Sequence, residues 1–534
     1  MKNEFVWDDH HFIVNDSSVH DFSHWRSLFS HNMGYLGGKS NNFYRPLYSL
    51  LNIVDYKTGG GKPLAFHITN TSLHAGVAVL ACILIFMLSK NIYVAGAAGL
   101  LFALHPVQTQ AVTYIAGRAD PMYVFFALLA IILFLKYIKG PGSLLAYSLS
   151  LVSFIFSILS KEAAAITPFM LLLCIYAVSE KGDGKAKKAL LALIPFFIIL
   201  AIYIGLRATV LNFSKNSFST LSVPTLPLYI RTLTACKAIF FYFKVLLFPV
   251  GFHLEIFFPP AVSLMERATF AAVTGVILIV AGLFYVRRHN KIIFFALCWF
   301  FLALLPVLNL FPINAPVAVH WLYLPSIGFF FAMTLAAWGA LKDKPVFIFV
   351  TIFAVIAMML GILTYNKNKE WRNEETLYTS IIPSAQTPRL YVNLGNIFTK
   401  KGEFDKAITY YRKALRIAPS QTEAYSNLGY VYDQKKEYGK AVEVLELAVK
   451  LSPKLTSAHI NLAVTYAHMG RHDDAINEIN KAIGLNPNNE MAWNILGKLY
   501  LMSGQRDKAK EPFERSLRIN KDQPEIKNLL AGLQ

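Results

Sequence analysis

The chain has 534 residues, of which 55% are hydrophobic and only 16% charged, and its formal net charge is +19. Soluble domains carry about 25% charged residues, so a purely soluble globular protein is excluded, while the length accommodates several domains. Much of the positive charge sits in short breaks between apolar runs, and no basic patch interleaves with aromatics, which argues against a nucleic-acid partner.

In chain order, the first feature is Phe5-Val6-Trp7-Asp8-Asp9-His10-His11. Met1 to Val6 lacks the apolar core of a signal peptide, and residues 1–67 read as a first loop carrying this acidic pair. His10 and His11 are adjacent, an arrangement that rarely converges on one ion, and no metal is expected. Ten apolar segments follow, at about 68–88, 92–112, 121–138, 143–160, 162–179, 188–206, 267–286, 292–310, 321–340 and 345–365. Most approach the ~20 residues needed to cross a bilayer as a helix. Cys82, Cys174, Cys236 and Cys298 lie inside apolar stretches and read as small core residues.

The stretch 228–248 differs. Arg231, Lys237 and Lys244 recur along it at steps of six and seven, which puts them near one face of a helix. A cationic stripe opposite an apolar face suits a helix lying at the membrane surface, within an outer loop spanning 207–266. Loop charge supports this. With 228–248 uncrossed and the N-terminus outside, the inner loops hold Lys90, Lys136, Lys139, Lys181, Lys185, Lys187, Lys188, Arg287, Arg288, Lys291, Lys342 and Lys344. The outer loops hold chiefly Arg118, Lys161, Arg207 and Lys215. Cations favour the inner side, so the acidic pair and everything after Tyr365 are expected to face outward. Nothing in residues 1–67 would export them, and a further span upstream of Met1 is expected.

After a junction at 366–387 the pattern becomes polar and periodic. Leu394-Gly395, Leu428-Gly429, Leu462-Ala463 and Leu496-Gly497 occupy equivalent positions, as do Ala407, Ala441, Ala475 and Ala509. Tyr391, Tyr425, His459 and Trp493 fill larger packing positions, and Pro419, Pro453 and Pro487 end units. A period of about 34 residues with small residues where paired helices meet is the signature of the tetratricopeptide repeat. Four units cover 388–523. The last departs, with Lys521 where proline is expected and Pro512 inside its second helix, and 524–534 reads as a capping helix. Asn393, Asn427 and Asn461 share one position of the first helix, and Ile495 breaks the series. Such a ladder of amides either binds an extended acceptor chain through its backbone or is merely solvated.

The membrane half also holds polar clusters: Tyr44-Arg45-Pro46-Leu47, Phe66-His67-Ile68-Thr69-Asn70, His105-Pro106-Val107, Gly117-Arg118-Ala119-Asp120, Ser160-Lys161-Glu162 and His320-Trp321-Leu322-Tyr323-Leu324-Pro325. The topology puts them all on the side of the acidic pair. By proximity, Arg118 would pair with Asp120 and Lys161 with Glu162.

The order of these motifs, the repeats after the last span, and Asn368, Trp371 and Leu377 at the junction resemble the transmembrane and tetratricopeptide repeat-containing proteins. That family is assigned as protein O-mannosyltransferases of the GT-C fold. The resemblance covers nearly the whole chain. It departs at Val319, where the family tends to carry an acid, and in lacking the span that normally precedes the acidic pair. It implies an all-α protein: a GT-C-type bundle of membrane helices over 68–365, followed by a soluble α-solenoid. It implies a glycosyltransferase that moves a sugar, mannose in the family, from a polyprenyl phosphate to Ser or Thr hydroxyls of exported proteins. Asp8 would be the general base, with Asp9 orienting it or holding the acceptor. Arg45 and Arg118, with His105 and Lys161, would bind the donor phosphate, and Asp120, His320 and Tyr323 complete the candidate site. No cofactor is implied beyond the lipid-linked sugar, and no divalent metal. The partners are that donor, the bilayer and an acceptor protein at the repeats. The compartment is the inner membrane of a prokaryote or the endoplasmic reticulum of a eukaryote, with loop and repeats on the periplasmic or luminal side. A membrane-anchored repeat scaffold is the alternative. A lipid-sugar transporter would need polar groups at mid-membrane.

Overall fold

A computed structural model describes residues 3–33, 43–140, 142–179, 185–209, 226–310 and 315–533. Among these residues every regular element is helical. The chain divides into two units, Met1–Ser380 and Ile381–Gln534.

In the first unit an apolar helix, or a bent pair, lies over each of the ten apolar segments. They are Pro63–Ser89, the pair Ile92–Leu104 and Pro106–Val112, Ile115–Lys139, Leu144–Ser160, Glu162–Val178, Ala186–Thr209, Arg267–His289, Lys291–Val307, Pro325–Ala340 and Val346–Lys369. Five single helices are long and apolar enough to cross a membrane. Lys181 and Lys215 of the charge argument lie outside the described residues.

Small residues set the closest approaches. Ser150 and Ser157 sit on the buried face of Leu144–Ser160 and donate to Ala130 O and Tyr123 O, both at 2.7 Å. A serine there lets the backbones draw together and bonds across the contact, as membrane helices require when packing is the main attraction between them. A Cβ on Gly99 would stand 1.9 Å from Cys82 Sγ, so Pro63–Ser89 and Ile92–Leu104 meet at that pair.

The bent pair turns by 51° at His105. Pro106 drives the residue before it out of the helical region, and His105 is extended at φ −74°, ψ 131°. Its Nδ1 accepts from Val107 N at 3.2 Å, so Nε2 carries the proton and donates to Leu246 O at 3.1 Å. Leu246 belongs to the helix Leu228–Leu247, the one read as lying at the surface. Near its start Arg231 donates to Leu310 O at 2.8 Å, and near its end Tyr242 accepts from Ala318 N at 3.4 Å. Both ends therefore touch the connection between Lys291–Leu304 and Pro325–Ala340.

Residues 1–67 are not a loop throughout, which corrects the sequence reading. Pro46–Gly59 is a helix opened by a proline at its first turn and closed by Gly60 at φ 58°. The next helix starts at Pro63. Described residues before them dock on these two helices: Ile13 packs with Phe66 and Ile115, and Val19 and Leu28 pack with Ile53. Apolar residues interspersed with polar ones concealed a short amphipathic helix.

The second unit is a helical array. First helices begin at Pro388, Thr422, Thr456 and Glu490, and the last helix at Pro524, a constant step of 34. Within each pair a small residue faces a large one. A Cβ on Gly395, Gly429 or Gly497 would come within 2.4, 2.3 and 2.5 Å of Tyr411, Leu445 and Phe513. Ile526 of Pro524–Ala531 packs on Ala509 and Phe513, covering the end of the array.

Candidate active site

The acidic pair sits in a tight, docked turn. Trp7 adopts φ 57°, a left-handed conformation that is costly for a bulky side chain. The turn brings Asp9 back on its own chain: Asp9 Oδ2 accepts from Val6 N at 3.0 Å and Oδ1 from Ala116 N at 2.7 Å. Asp9 is fully buried. Burial pushes its carboxyl up to about 7, against the two backbone donors that favour the ionised form. Asp8 is only partly buried, and Tyr114 lies within electrostatic reach of it.

Arg118 lies behind this turn and is also fully buried. Nε donates to Asn70 Oδ1 at 2.9 Å, Nη1 to Asn52 Oδ1 at 2.9 Å and Nη2 to Phe66 O at 3.0 Å, while Asp55 Oδ2 stands 2.6 Å from Nη1. Asp55 also accepts from Thr69 at 2.7 Å, and Asn70 donates to Val112 O at 3.1 Å. The partner of Arg118 is therefore Asp55 and not Asp120. Its guanidinium joins Pro46–Gly59, Pro63–Ser89 and the connector 113–118. Three of its five donors are hydrogen-bonded to protein and Asp55 already balances its charge, so the phosphate-binding role expected of it has little left to work with.

A second ionic cluster surrounds Arg45. Its Nε and Nη2 form a fork on Glu162, at 3.1 and 2.6 Å. Lys161 Nζ is 2.6 Å from Asp120 Oδ1. Both sequence-proximity pairings are thus exchanged: Lys161 goes to Asp120, and Glu162 to Arg45. Burial works against the Arg45 charge, but Glu162, with Asp120 beyond it, more than restores it, so its pKa is raised. His320 lies within electrostatic reach of Asp120, Lys161 and Arg45. Part of its side chain remains exposed, yet the ring is packed closely enough that desolvation pushes its pKa down to about 4. It is neutral near pH 7.

Tyr48 lies near both clusters, without a hydrogen-bond partner for its hydroxyl among the described residues. It is fully buried and within electrostatic reach of Asp9, Arg118 and Arg45. Tyr323 is buried deeper, bonded to His74 Nδ1 at 2.7 Å, while His74 Nε2 faces Ala103 O at 3.1 Å. A carbonyl only accepts, so Nε2 carries the proton and Nδ1 accepts from the tyrosine. His105 stands apart, with both ring nitrogens engaged as described above.

In the repeat unit, Asn393 and Asn427 line a cavity of about 300 Å³ together with Asn396, Gln421, Glu423 and Ser457. Asn427 also donates to Asn396 Oδ1 at 2.8 Å, and Asn461 to Ser426 O at 3.2 Å. These two amides bond each unit to the one before it.

Sequence reading passed over Asn52, Asp55, Tyr48 and Tyr114. One signal was present: Asn52 and Asp55 are one turn apart, as are Phe66 and Asn70, and polar groups at such spacing in apolar helices face one partner.

A family model described as TPR repeat matches residues 395–436, and one described as Tetratricopeptide repeat matches 434–499 and 466–533. The human Protein O-mannosyl-transferase TMTC3 is 26% identical over 79% of this chain and 50% of its own length. The human TMTC1 is 25% identical over 79% of this chain and 54% of its own. The mouse TMTC4 is 26% identical over 77% of this chain and 63% of its own. The chain is similar to the TMTC proteins. It spans about half to two thirds of the length of these relatives, and the TMTC likeness extends well beyond the repeats. Among solved structures, Pseudomonas aeruginosa pilF is 28% identical, covering 27% of this chain and 67% of that one, at a TM-score of 0.27. A thermophilic TPR protein of Thermus thermophilus is 21% identical, covering 33% and 93%, at 0.28.

Proposed function

We propose that this TMTC-like chain is a membrane glycosyltransferase of the GT-C type, transferring mannose from a polyprenyl phosphate to Ser or Thr hydroxyls of exported proteins. The observation that carries it is the difference between the two acids. Asp9 is buried with both oxygens on backbone N–H groups, while Asp8 keeps exposure. Such a pair suits a base held by a positioning neighbour: Asp8 takes the hydroxyl proton as the acceptor oxygen attacks the sugar carbon, and Asp9 fixes the turn. The bond from that carbon to the phosphate oxygen breaks as the new one forms, and the phosphate leaves as an anion.

Arg45, Lys161 and neutral His320 are the best-placed groups to receive the phosphate, since Arg45 and Lys161 retain some exposure and His320 can donate without charge. Arg118 serves as the buried clamp behind them. The acceptor chain lies along the repeats, where Asn393 and its amide-rich cavity suit a peptide backbone. The loop and the repeats face the periplasm or lumen.

The test is transfer from polyprenyl-phosphate mannose to a Ser/Thr peptide by the purified chain. Asp8→Asn should lose at least about a hundredfold in kcat, and Arg45→Lys should raise the KM for the donor. Undiminished transfer by Asp8→Asn would leave the scaffold reading standing.

A further inference from the structure

The segment between Leu228–Leu247 and Arg267–His289 forms no helix, yet it is firmly placed. Phe252 and Ala261 are buried, and the Phe258 ring meets Phe241 with centroids 5.7 Å apart. Ala261 N donates to Thr234 Oγ1 at 3.0 Å. Two further contacts fix its height. Lys367 Nζ donates to Phe252 O, and Lys237 Nζ donates to Glu266 Oε1 at 3.1 Å. Lys367 lies in the last turn of Val346–Lys369, and Glu266 immediately precedes Arg267–His289. Both helices are long and apolar enough to cross a membrane, so the segment lies at the level where two spans end.

Its other side chains point away from the protein. Phe257 is 77% exposed, Val262 80% and Met265 87%, and Phe248 and Val250 are exposed as well. Apart from His253, Glu255 is the only acidic or basic residue from Phe248 to Met265. Single apolar residues at a surface need no explanation, but five along one anchored segment call for a partner. The segment runs directly into Arg267–His289, whose Phe270, Ile277 and Phe284 are also exposed, as the lipid-facing side of a span must be.

We propose that residues 248–265 are a membrane-inserted wedge, with Phe248, Val250, Phe257, Val262 and Met265 among the acyl chains of the leaflet that surrounds these two span ends. The backbone sets the depth. Its N–H and C=O groups are not paired in a helix, so they stay in the hydrated headgroup layer, because unpaired backbone is too costly in hydrocarbon. The side chains alone reach down, about 5–10 Å into the headgroup–acyl boundary. Lipid is the occupant because the exposed apolar surface is continuous with that of the adjoining span. This moves the membrane contact expected of the cations in Leu228–Leu247 onto the segment after it. Arg231 and Lys237 are engaged by Leu310 O and Glu266.

The experiment uses the full chain with its four cysteines replaced, and with Phe257→Cys or Val262→Cys introduced singly. Each is labelled with the environment-sensitive fluorophore NBD and placed in phosphatidylcholine vesicles. The vesicles carry a nitroxide either near the ester end of the acyl chain or near its terminal methyl. Both positions are exposed, so the label displaces no packed side chain. Emission from both should lie at shorter wavelength than from a label at Lys510 in the repeats, and the shallow nitroxide should quench it more than the deep one. A label at Ile277, near the middle of Arg267–His289, should show the reverse order. Water-like emission without quenching at Phe257 and Val262 would overturn the inference. So would short-wavelength emission that neither nitroxide quenches, since a second copy or another protein would then cover the segment.

Discussion

At the residue scale, the two aspartates differ by burial and not by sequence. Asp9 binds its proton more tightly folded than unfolded, because burial raises it from 3.8 to about 7. Its contribution to stability is therefore present below about pH 4 and is lost as pH rises through about 7. Thermal unfolding in detergent across that window should show the native chain losing stability relative to Asp9→Asn as pH rises, with a constant difference above it. A gap that moves the opposite way would mean that the backbone donors outweigh desolvation. Arg118→Met should cost about 3–5 kcal/mol, since it leaves Asp55 buried without its cation. Adding Asp55→Leu should recover part of that loss in the same melting assay. Recovery is expected because the neutral pair no longer strands a charge, although Asn52 and Asn70 still lose a partner.

At the element scale, small residues decide where helices meet. Gly429 lies against Leu445 so closely that a Cβ would stand 2.3 Å from Leu445 Cγ, whereas Gly439 has nothing within 4 Å. Gly429→Ala should destabilise the repeats by about 1–3 kcal/mol through overpacking. Gly439→Ala should be neutral or stabilising by about 1 kcal/mol, because alanine is the better helix former. Denaturant titration followed by circular dichroism reads both. Both glycines lie within helices, so local propensity alone ranks them alike. The same logic applies at Ser150 and Ser157, whose hydroxyls bond the facing backbone.

At the scale of the whole molecule, the distribution of cations predicts one orientation. In a background with the four cysteines replaced, single cysteines at His31 and Lys510 should react with a membrane-impermeant maleimide from one side. A cysteine at Lys342 should react from the other. Labelling of His31 and Lys342 from the same side would refute the charge-based topology. The ten apolar helices were legible because a bilayer demands long uninterrupted runs, and the repeats because a 34-residue step recurs from Pro388 to Pro524. Pro46–Gly59 was not, since it is short, its apolar positions are interrupted by polar ones, and Asn52 and Asp55 serve an interior ion.

Hydropathy and period by themselves determined the two-part, all-helical architecture, since both report local burial repeated along the chain. The family resemblance, not hydropathy, singled out Asp8, Asp9, Arg45 and Lys161 as site candidates. Only the tertiary structure decided who meets whom. Arg118 chose Asp55 over Asp120, Glu162 chose Arg45 over Lys161, and Tyr114 came to stack on Trp371. The physical reason is that an ion pair, a hydrogen bond or a ring stack depends on distance through space, and residues far apart along the chain meet, as Tyr114 and Trp371 do.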